Sequence, residues 1–308
     1  MNANSILGNR TLGASPAGLA DAGGGDLERS CGAASVDRIT IAPASGGIER
    51  IEAQFRGDAF APHRHDTYAL GLTLRGVQTF RYRGMVRYSQ PGNIIVLHPD
   101  ELHDGGAGTE EGLRYRMMYL PPEILMDALD GRCRGLPFVA SPIISDSIFA
   151  NSLAEAMGDL EGEIDALQRD DLLAGIADSL VKHADGGLEG GKTDQAAIRR
   201  TSDYLQAHCE RQVTSQVLEG ISGLDRFTLA RQFRTMLGTS PHRYLIMRRL
   251  EKARRLLAGG RSLAETALDT GFADQAHFTR HFKKAYGLTP GRWAGLSGRP
   301  SAQAYERT

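Results

Sequence analysis

The chain has 308 residues, enough for two domains of about 100–200 residues each. Hydrophobic residues make up 41% and charged residues 24%, an ordinary globular composition. The 36 basic and 37 acidic residues leave a net charge of −1, which taken whole does not advertise the basic surface of a nucleic-acid binder. There is no run of about 18 apolar residues to form a transmembrane helix and no basic-then-apolar start typical of a secretory signal. The three scattered cysteines, Cys31, Cys133 and Cys209, exclude a disulfide framework and a Cys-x-x-Cys metal site. A cytoplasmic protein with reduced thiols is expected.

Residues 1–35 are rich in Gly, Ala and Ser without hydrophobic period, which predicts a disordered tail or arm. Residues 36–120 hold short apolar runs (IERIEAQF, YALGLTL, QTFRYRG, NIIVLH, LRYRMMYL) between turn residues, the spacing of an all-β sandwich or barrel. Tyr68, Leu70, Leu72 and Leu74 alternate with other residues and predict one inward face. Residues 121–185 change to a helical period. Leu167, Leu172, Leu173, Ile176, Leu180 and Val181 form one stripe, for packing on the β-domain or for a dimer helix. Residues 186–193 carry four glycines and predict a flexible linker. Residues 194–296 read as helical throughout, and 297–308 as a tail.

Dividing the charge at the linker changes its meaning. Residues 194–299 contain 18 basic and 9 acidic residues, whereas residues 1–193 contain 17 and 27. The C-terminal half therefore has the electrostatic footprint of a phosphate binder. It also repeats. Residues 218–241 (LEGISGLDRFTLARQFRTMLGTSP) and 265–290 (ETALDTGFADQAHFTRHFKKAYGLTP) align Gly223 with Gly271, Phe233 with Phe282, Gly238 with Gly287 and Pro241 with Pro290. Each copy reads as helix, Gly-containing turn and helix, a helix-turn-helix, over about 214–237 and 262–285. Asp225 is the expected cap of one second helix, Asp274 lies near the start of the other, and Gly238 and Gly287 are expected left-handed stops. A helix over about 241–257, with Arg248, Arg249, Lys252, Arg254 and Arg255, joins the units; its arginines are expected to position the domain on DNA rather than to specify sequence.

On these residues, 197–295 resemble the DNA-binding domain of the AraC/XylS family of bacterial transcription regulators. Ala267, Gly271, Phe272, His277, Phe278, Arg280, Phe282, Lys283, Gly287, Thr289 and Pro290 match the second-unit signature. In the first unit, Leu218, Gly223, Leu224, Leu229, Arg231 and Phe233 fit. Ser215 and Glu219 stand where the family usually has Leu and Ala, which predicts looser packing of its first helix. Helices of this kind present side chains to base edges in the major groove. The outward residues are Arg226, Phe227, Ala230 and Arg231 on the first recognition helix and Gln275, Ala276, Thr279 and Arg280 on the second. Arg231 and Arg280 suit guanine, Gln275 suits adenine, and Phe227 and Ala230 suit a thymine methyl. Phosphate contact or an intradomain ion pair is the alternative for each arginine. His277 and His281 read as polar helix side chains rather than ligands.

Further upstream, residues 57–66 (GDAFAPHRHD) place His63-Arg64-His65 after Gly57, and Gly92, Pro99 and His103 follow. Both stretches resemble the two motifs of cupin barrels, a fold the AraC family commonly joins to its DNA-binding domain. Metal-binding cupins carry a Glu where this chain has Leu70, so metal held by His63, His65 and His103 is kept only as an alternative. The preferred reading is an effector pocket, mostly apolar with a few placed polar groups, with His63, His65, Tyr68, Tyr82, His98, His103 and Tyr115 as effector-binding candidates. Leu72, Met117 and Tyr119 are further candidates for its lining, and a small polar, anionic metabolite is the guess for the effector.

The fold expected is α+β and multidomain: a cupin-like β-barrel over 36–120, a helical dimerisation or packing segment over 121–185, and an all-α domain with two helix-turn-helix motifs over 194–296. The function implied is sequence-specific transcription regulation under a small-molecule effector, without catalytic residues or a resident cofactor. The expected partners are double-stranded DNA, the effector, a second copy in a homodimer, and RNA polymerase. A cupin metalloenzyme, dioxygenase or isomerase, with an accessory DNA-binding domain is the alternative.

Overall fold

The computed structural model describes residues 37–130, 132–133, 135–185 and 193–297. The arm expected over 1–35, nearly all of the linker and nearly all of the C-terminal tail lie outside them. The described residues fall within one compact unit, so the strand-rich half and the helical half are not two detached bodies.

Among the described residues, nine strands come first: β1 (Arg38–Ile41), β2 (Glu49–Phe55), β3 (Asp58–His63), β4 (Tyr68–Arg75), β5 (Gln78–Tyr82), β6 (Met85–Ser89), β7 (Ile94–Leu97), β8 (His103–Ala107) and β9 (Leu113–Leu120). They are followed by α1 (Pro122–Leu129), a two-residue strand β10 (Ile143–Ile144), α2 (Ser147–Ala156) and α3 (Ala166–Lys182). One antiparallel sheet has the order β1-β2-β9-β4-β7-β10 and the other β3-β8-β5-β6. The segment after residue 120 is thus not purely helical, because β10 pairs with β7 and extends the larger sheet.

The larger sheet is buried on both faces, and β4 shows why its residues read as they do. Tyr68, Leu70 and Leu72 belong to an apolar core with Leu125 and Leu129 of α1, Phe149 and Leu153 of α2, and Leu172, Ile176 and Leu180 of α3. Ala69, one residue out of phase, belongs to a second core with Phe80, Ile95, Leu97, Tyr115 and Met117 between the two sheets. Most of the predicted α3 stripe is consumed within the chain, against α1 and α2; Leu167, 73% exposed, is not. Buried Arg50 fastens the turn after α2 to the sheet, donating to the carbonyls of Ala156, Asp159 and Gly162.

The C-terminal part is helical: α4 (Gln195–Ala207), α5 (Ser215–Ser222), α6 (Arg226–Leu237), α7 (Pro241–Ala258), α8 (Leu263–Asp269), α9 (Gln275–Tyr286) and α10 (Pro290–Ser297). The two helix-turn-helix units are α5–α6 and α8–α9, joined by α7. Asp225 accepts from the amides of Phe227 and Thr228, and Asp274 accepts from that of His277, so both recognition helices carry the side-chain cap that offsets unpaired first-turn donors. Glu219, the departure expected to loosen α5, instead closes the first unit by accepting from the Arg226 amide at 2.9 Å. Each unit merges with a different layer of the sensor. The core of Phe233, Met236, Leu237 and Tyr244 is continuous with the helix-covered face of the large sheet. That of Phe272, Phe278, Phe282 and Trp293 is continuous with the core between the sheets.

Candidate nucleic-acid interface and sensor cavity

On α6, Leu229 and Phe233 are buried while Arg226, Phe227 and Arg231 are exposed and Ala230 is half-buried. Phe227 is 72% exposed, unusual for a large apolar side chain, with the Arg226 guanidinium 5.2 Å from its ring centroid. Among the described residues, Arg231 hydrogen-bonds only to Thr228 of its own helix, at 3.1 Å. On α9, Phe278 and Phe282 are buried, Gln275, Ala276 and Arg280 are exposed, and Thr279 is half-buried. Arg280 makes no ion pair or hydrogen bond among the described residues. His277 and His281 stand with ring centroids 4.6 Å apart. Burial, then neighbouring positive charge, lowers His281 to about 4 and keeps it neutral.

The expectation for α7 needs correction. Arg248 is buried and bonds Asp66 at 2.6 Å and Glu251 at 3.0 Å. Arg249 is buried and donates to the carbonyls of Cys209 and Arg211. Arg254 pairs with Glu49 at 2.9 Å and lies over Tyr286 and Trp293. These arginines seat the helix in the protein instead of meeting phosphates; Lys252, half-buried, is 3.5 Å from Glu210, and Arg255 is exposed. Among the described residues, the ion pairs between the halves are Asp66–Arg248, Glu49–Arg254, Asp100–Arg243, Asp37–Arg292 and Asp127–Arg199. In all of them the acid comes from the N-terminal half and the base from the C-terminal half.

The paired glycines of the repeat are a second junction. Gly238 and Gly287 end α6 and α9 with φ of 70° and 68°, the left-handed region open to glycine. Both also abut the sensor. A Cβ on Gly238 would lie 2.7 Å from the Pro99 Cβ, and one on Gly287 would lie 2.6 Å from the Ala61 carbonyl oxygen and 2.9 Å from His63 Nδ1. Beside Gly287, the Ala61 amide donates to the Gly287 carbonyl at 3.2 Å and the Arg64 amide to that of Lys284 at 3.1 Å. The recognition helices are therefore held by their C-terminal ends, with their N-terminal halves facing outward.

Between the sheets lies a cavity of about 30 Å³ lined by Phe60, His63, His65, His103, Tyr115 and Tyr119, with Gln78, Phe80, Ile95, Leu97, Met117, Ala69, Asp104 and Gly105 completing the wall. His63, His65, His103 and Tyr115 stand where expected, and Met117 and Tyr119 join them. Tyr68, Tyr82, His98 and Leu72 do not line it. Tyr68 faces the helices and donates to the Pro137 carbonyl at 2.7 Å. Tyr82 accepts from the His98 amide, and His98 Nε2 accepts from the Val139 amide at 3.0 Å. Strand parity separates the two faces of β4, but with both buried it does not say which one holds the cavity. Phe60, Gln78, Phe80, Ile95 and Leu97 were missed; their signal was only the alternation shared by every apolar strand residue.

The three cavity histidines sit together, with ring centroids 4.2 Å apart for His63–His103 and 4.7 Å for His65–His103. Each Nδ1 faces a backbone carbonyl: Ala61 at 2.8 Å for His63, Thr67 at 2.9 Å for His65 and Glu101 at 2.9 Å for His103. A carbonyl only accepts, so each Nδ1 carries the proton. Burial lowers all three, with the charges of the neighbouring histidines adding to it for His63 and His65, and His103 falls to about 4. They are neutral, with a lone pair on each Nε2. Among the described residues no group of three or more His, Cys, Asp or Glu side chains is arranged to hold a metal ion.

Comparison with known proteins follows the same division. Residues 45–177 match the AraC-like ligand binding domain and residues 220–295 match a helix-turn-helix domain family. The chain belongs to the AraC/XylS family of transcription regulators. It is 26% identical over 234 residues to the HTH-type transcriptional regulator YbfI of Bacillus subtilis, covering 74% of this chain and 85% of that one. It is 24% identical over 260 residues to the XylDLEGF operon transcriptional activator 1 of Pseudomonas putida, covering 80% of each. In fold it is similar to ToxT from Vibrio cholerae, with a TM-score of 0.61 and 13% identity over 81% of this chain and 98% of that one. This AraC-family protein is a DNA-binding transcription regulator with a ligand-binding N-terminal domain. The relatives are transcription regulators, which decides against the metalloenzyme alternative. No helix among the described residues is long and apolar enough to cross a membrane.

Proposed function

We propose that this regulator reads two neighbouring major-groove segments with the exposed N-terminal halves of α6 and α9, under control of a small molecule held between the two sheets. The observation that carries this is the paired exposure of Arg226, Phe227, Arg231, Gln275, Ala276 and Arg280 on helices whose other ends rest on the sensor. Arg231 and Arg280 are the guanine readers, Gln275 the adenine reader, and Phe227 and Ala230 the thymine-methyl contacts; Ala276 and Thr279 complete the surface. The sensor is the barrel over residues 36–120 with the helical segment 121–185 beside it, and the DNA-binding domain is 194–296. The regulator works in the cytoplasm, where its DNA is, as a homodimer bound to paired sites, which raises effective concentration, and it contacts RNA polymerase. A ToxT structure is described as bound to an unsaturated fatty acid, which supports a small-molecule effector in this fold.

The test is binding of the full chain to a random duplex library, then to the selected site and all its single-base variants. Arg280→Ala is expected to cost about 1–3 kcal/mol on the preferred site and to relax preference at one position. An equal loss on every sequence makes Arg280 a phosphate contact, and an absence of any sequence preference in the parent chain refutes the reading.

A further inference from the structure

Resting on the reading of the cavity as the effector site, we infer that its ligand is an uncharged phenol, whose hydroxyl donates to the Nε2 of His63, His65 or His103 and whose ring lies against Phe60, Phe80, Ile95, Leu97 and Met117. The polar groups of the cavity decide the class. All three imidazoles have spent their N–H on backbone carbonyls, and their Nε2 atoms have no hydrogen-bond partner among the described residues. A cluster of bare lone pairs calls for a ligand that brings a donor. A carboxylate brings only further lone pairs, and although Tyr115, Tyr119 and Gln78 offer neutral donors, no Lys or Arg lines the cavity to balance its charge; the depressed histidines resist becoming cations for it. This corrects the anionic guess drawn from sequence. An alkylammonium would leave water for a wall whose one carboxylate, Asp104, already accepts from the Arg81 amide at 2.6 Å. A polyol would press unpaired hydroxyls against aliphatic and aromatic walls, each left unsatisfied at a cost. A phenol brings one donor for the histidine cluster and an oxygen able to accept from the tyrosine or glutamine donors of the same wall, Tyr115, Tyr119 and Gln78, on a flat apolar body.

The size of the cavity adds a consequence for the DNA-binding half. About 30 Å³ holds one or two waters, less than an aromatic ring needs, so binding must move part of the wall. Phe60 and His63 are the wall residues that meet the C-terminal turn of α9: a Cβ on Gly287 would lie 3.0 Å from the Phe60 Cβ and 2.9 Å from His63 Nδ1. A ring entering between the sheets and displacing them strains the two hydrogen bonds that the Ala61 and Arg64 amides donate to the Gly287 and Lys284 carbonyls. Ligand binding and the seating of the second recognition helix then share one strand. A ligand that favours the unseated arrangement shifts the population by its differential affinity.

The experiment uses the full chain with phenol and catechol at 10 mM, set against toluene, benzoate and benzylamine at the same concentration and zinc(II) at about 1 mM, in thermal unfolding and in amide hydrogen exchange. Phenol or catechol is expected to raise Tm by about 2–4 °C, with the charged analogues and toluene giving less than half of that. His63→Phe, His65→Phe and His103→Phe each keep a ring and remove one acceptor, and at least one of the three is expected to abolish the gain while still melting cooperatively. Exchange of the Ala61 and Arg64 amides is expected to quicken at least threefold with phenol bound. The inference is overturned if no phenol stabilises the protein, if benzoate, benzylamine or zinc(II) stabilises it more than phenol, or if the histidine variants keep the gain. Unchanged exchange at Ala61 and Arg64 overturns the coupling to α9. Duplex DNA binding by the same sample separates the two levels: intact DNA binding without a phenol response sinks only the ligand class, whereas failed DNA binding sinks the regulator reading beneath it.

Discussion

Histidine 103 illustrates how much a single side chain's neighbours decide. In sequence it is one of nine histidines; in the fold it faces His63 and His65 across 4.2 Å and 4.7 Å and is lowered by burial to about 4. His98 is lowered to about 4 for the same reason, with the charge of Arg83 adding to burial. Unfolded, these rings take up a proton near their ordinary 6.5; folded, they stay neutral until about 4. Across that window the unfolded state binds more protons, so their contribution to stability rises with pH and is lost as pH falls from 6.5 towards 4. Glu251, pushed up to about 7 mainly by burial, acts in the opposite direction between its ordinary 4.5 and 7. The histidine contribution is therefore best isolated by difference. The fall in Tm from pH 7 to pH 5 is expected to be smaller in His103→Phe than in the parent, and equal slopes would remove His103 from the linkage.

At the scale of elements, the two helix-turn-helix units were legible because their signals are local. Asp225 and Asp274 cap, Gly238 and Gly287 stop, and Phe233 and Phe282 fill equivalent buried places. The second use of those glycines was not legible, since Pro99 and Ala61 are distant in sequence. Gly223 supplies the internal comparison: its φ is 74°, and nothing lies within 4 Å of where its Cβ would be. Gly223→Ala is expected to cost about 1–2 kcal/mol, the conformational penalty alone. Gly287→Ala is expected to cost clearly more, because its Cβ would lie 2.6 Å from the Ala61 oxygen. Urea unfolding of both full-length variants measures the gap, and equal losses would contradict the docking of α9 on β3.

At the scale of the whole molecule, the charge division takes the form of ion pairs that, among the described residues, all run from an N-terminal acid to a C-terminal arginine. Of these, Asp66–Arg248 is buried on both sides, where salt screens it less than an exposed pair. The acidic half thus occupies basic groups that would otherwise add to the field around DNA. Removing residues 1–193 is expected to tighten nonspecific duplex binding at about 50 mM salt, with the gain shrinking towards 200 mM. Circular dichroism of the fragment establishes that its helices persist; a folded fragment that binds no more tightly would show that the contacts between the halves do not restrain the DNA-binding domain.

The sequence by itself determined the features whose physics is local or periodic: alternating strands, amphipathic helices, caps, a duplicated turn and the separation of charge. It also carried the cluster of His63, His65 and His103, because a matched pair of motifs brought two distant strands together. Only the tertiary structure decided which buried face encloses the cavity. Tyr68 and Ala69 are adjacent and both buried, yet one packs on helices and the other on the cavity, because the sheet carries a core on each side. It likewise decided that Arg248, Arg249 and Arg254 face protein and not DNA. A charge's partner depends on which distant surface the fold brings beside it, and no spacing along the chain records that.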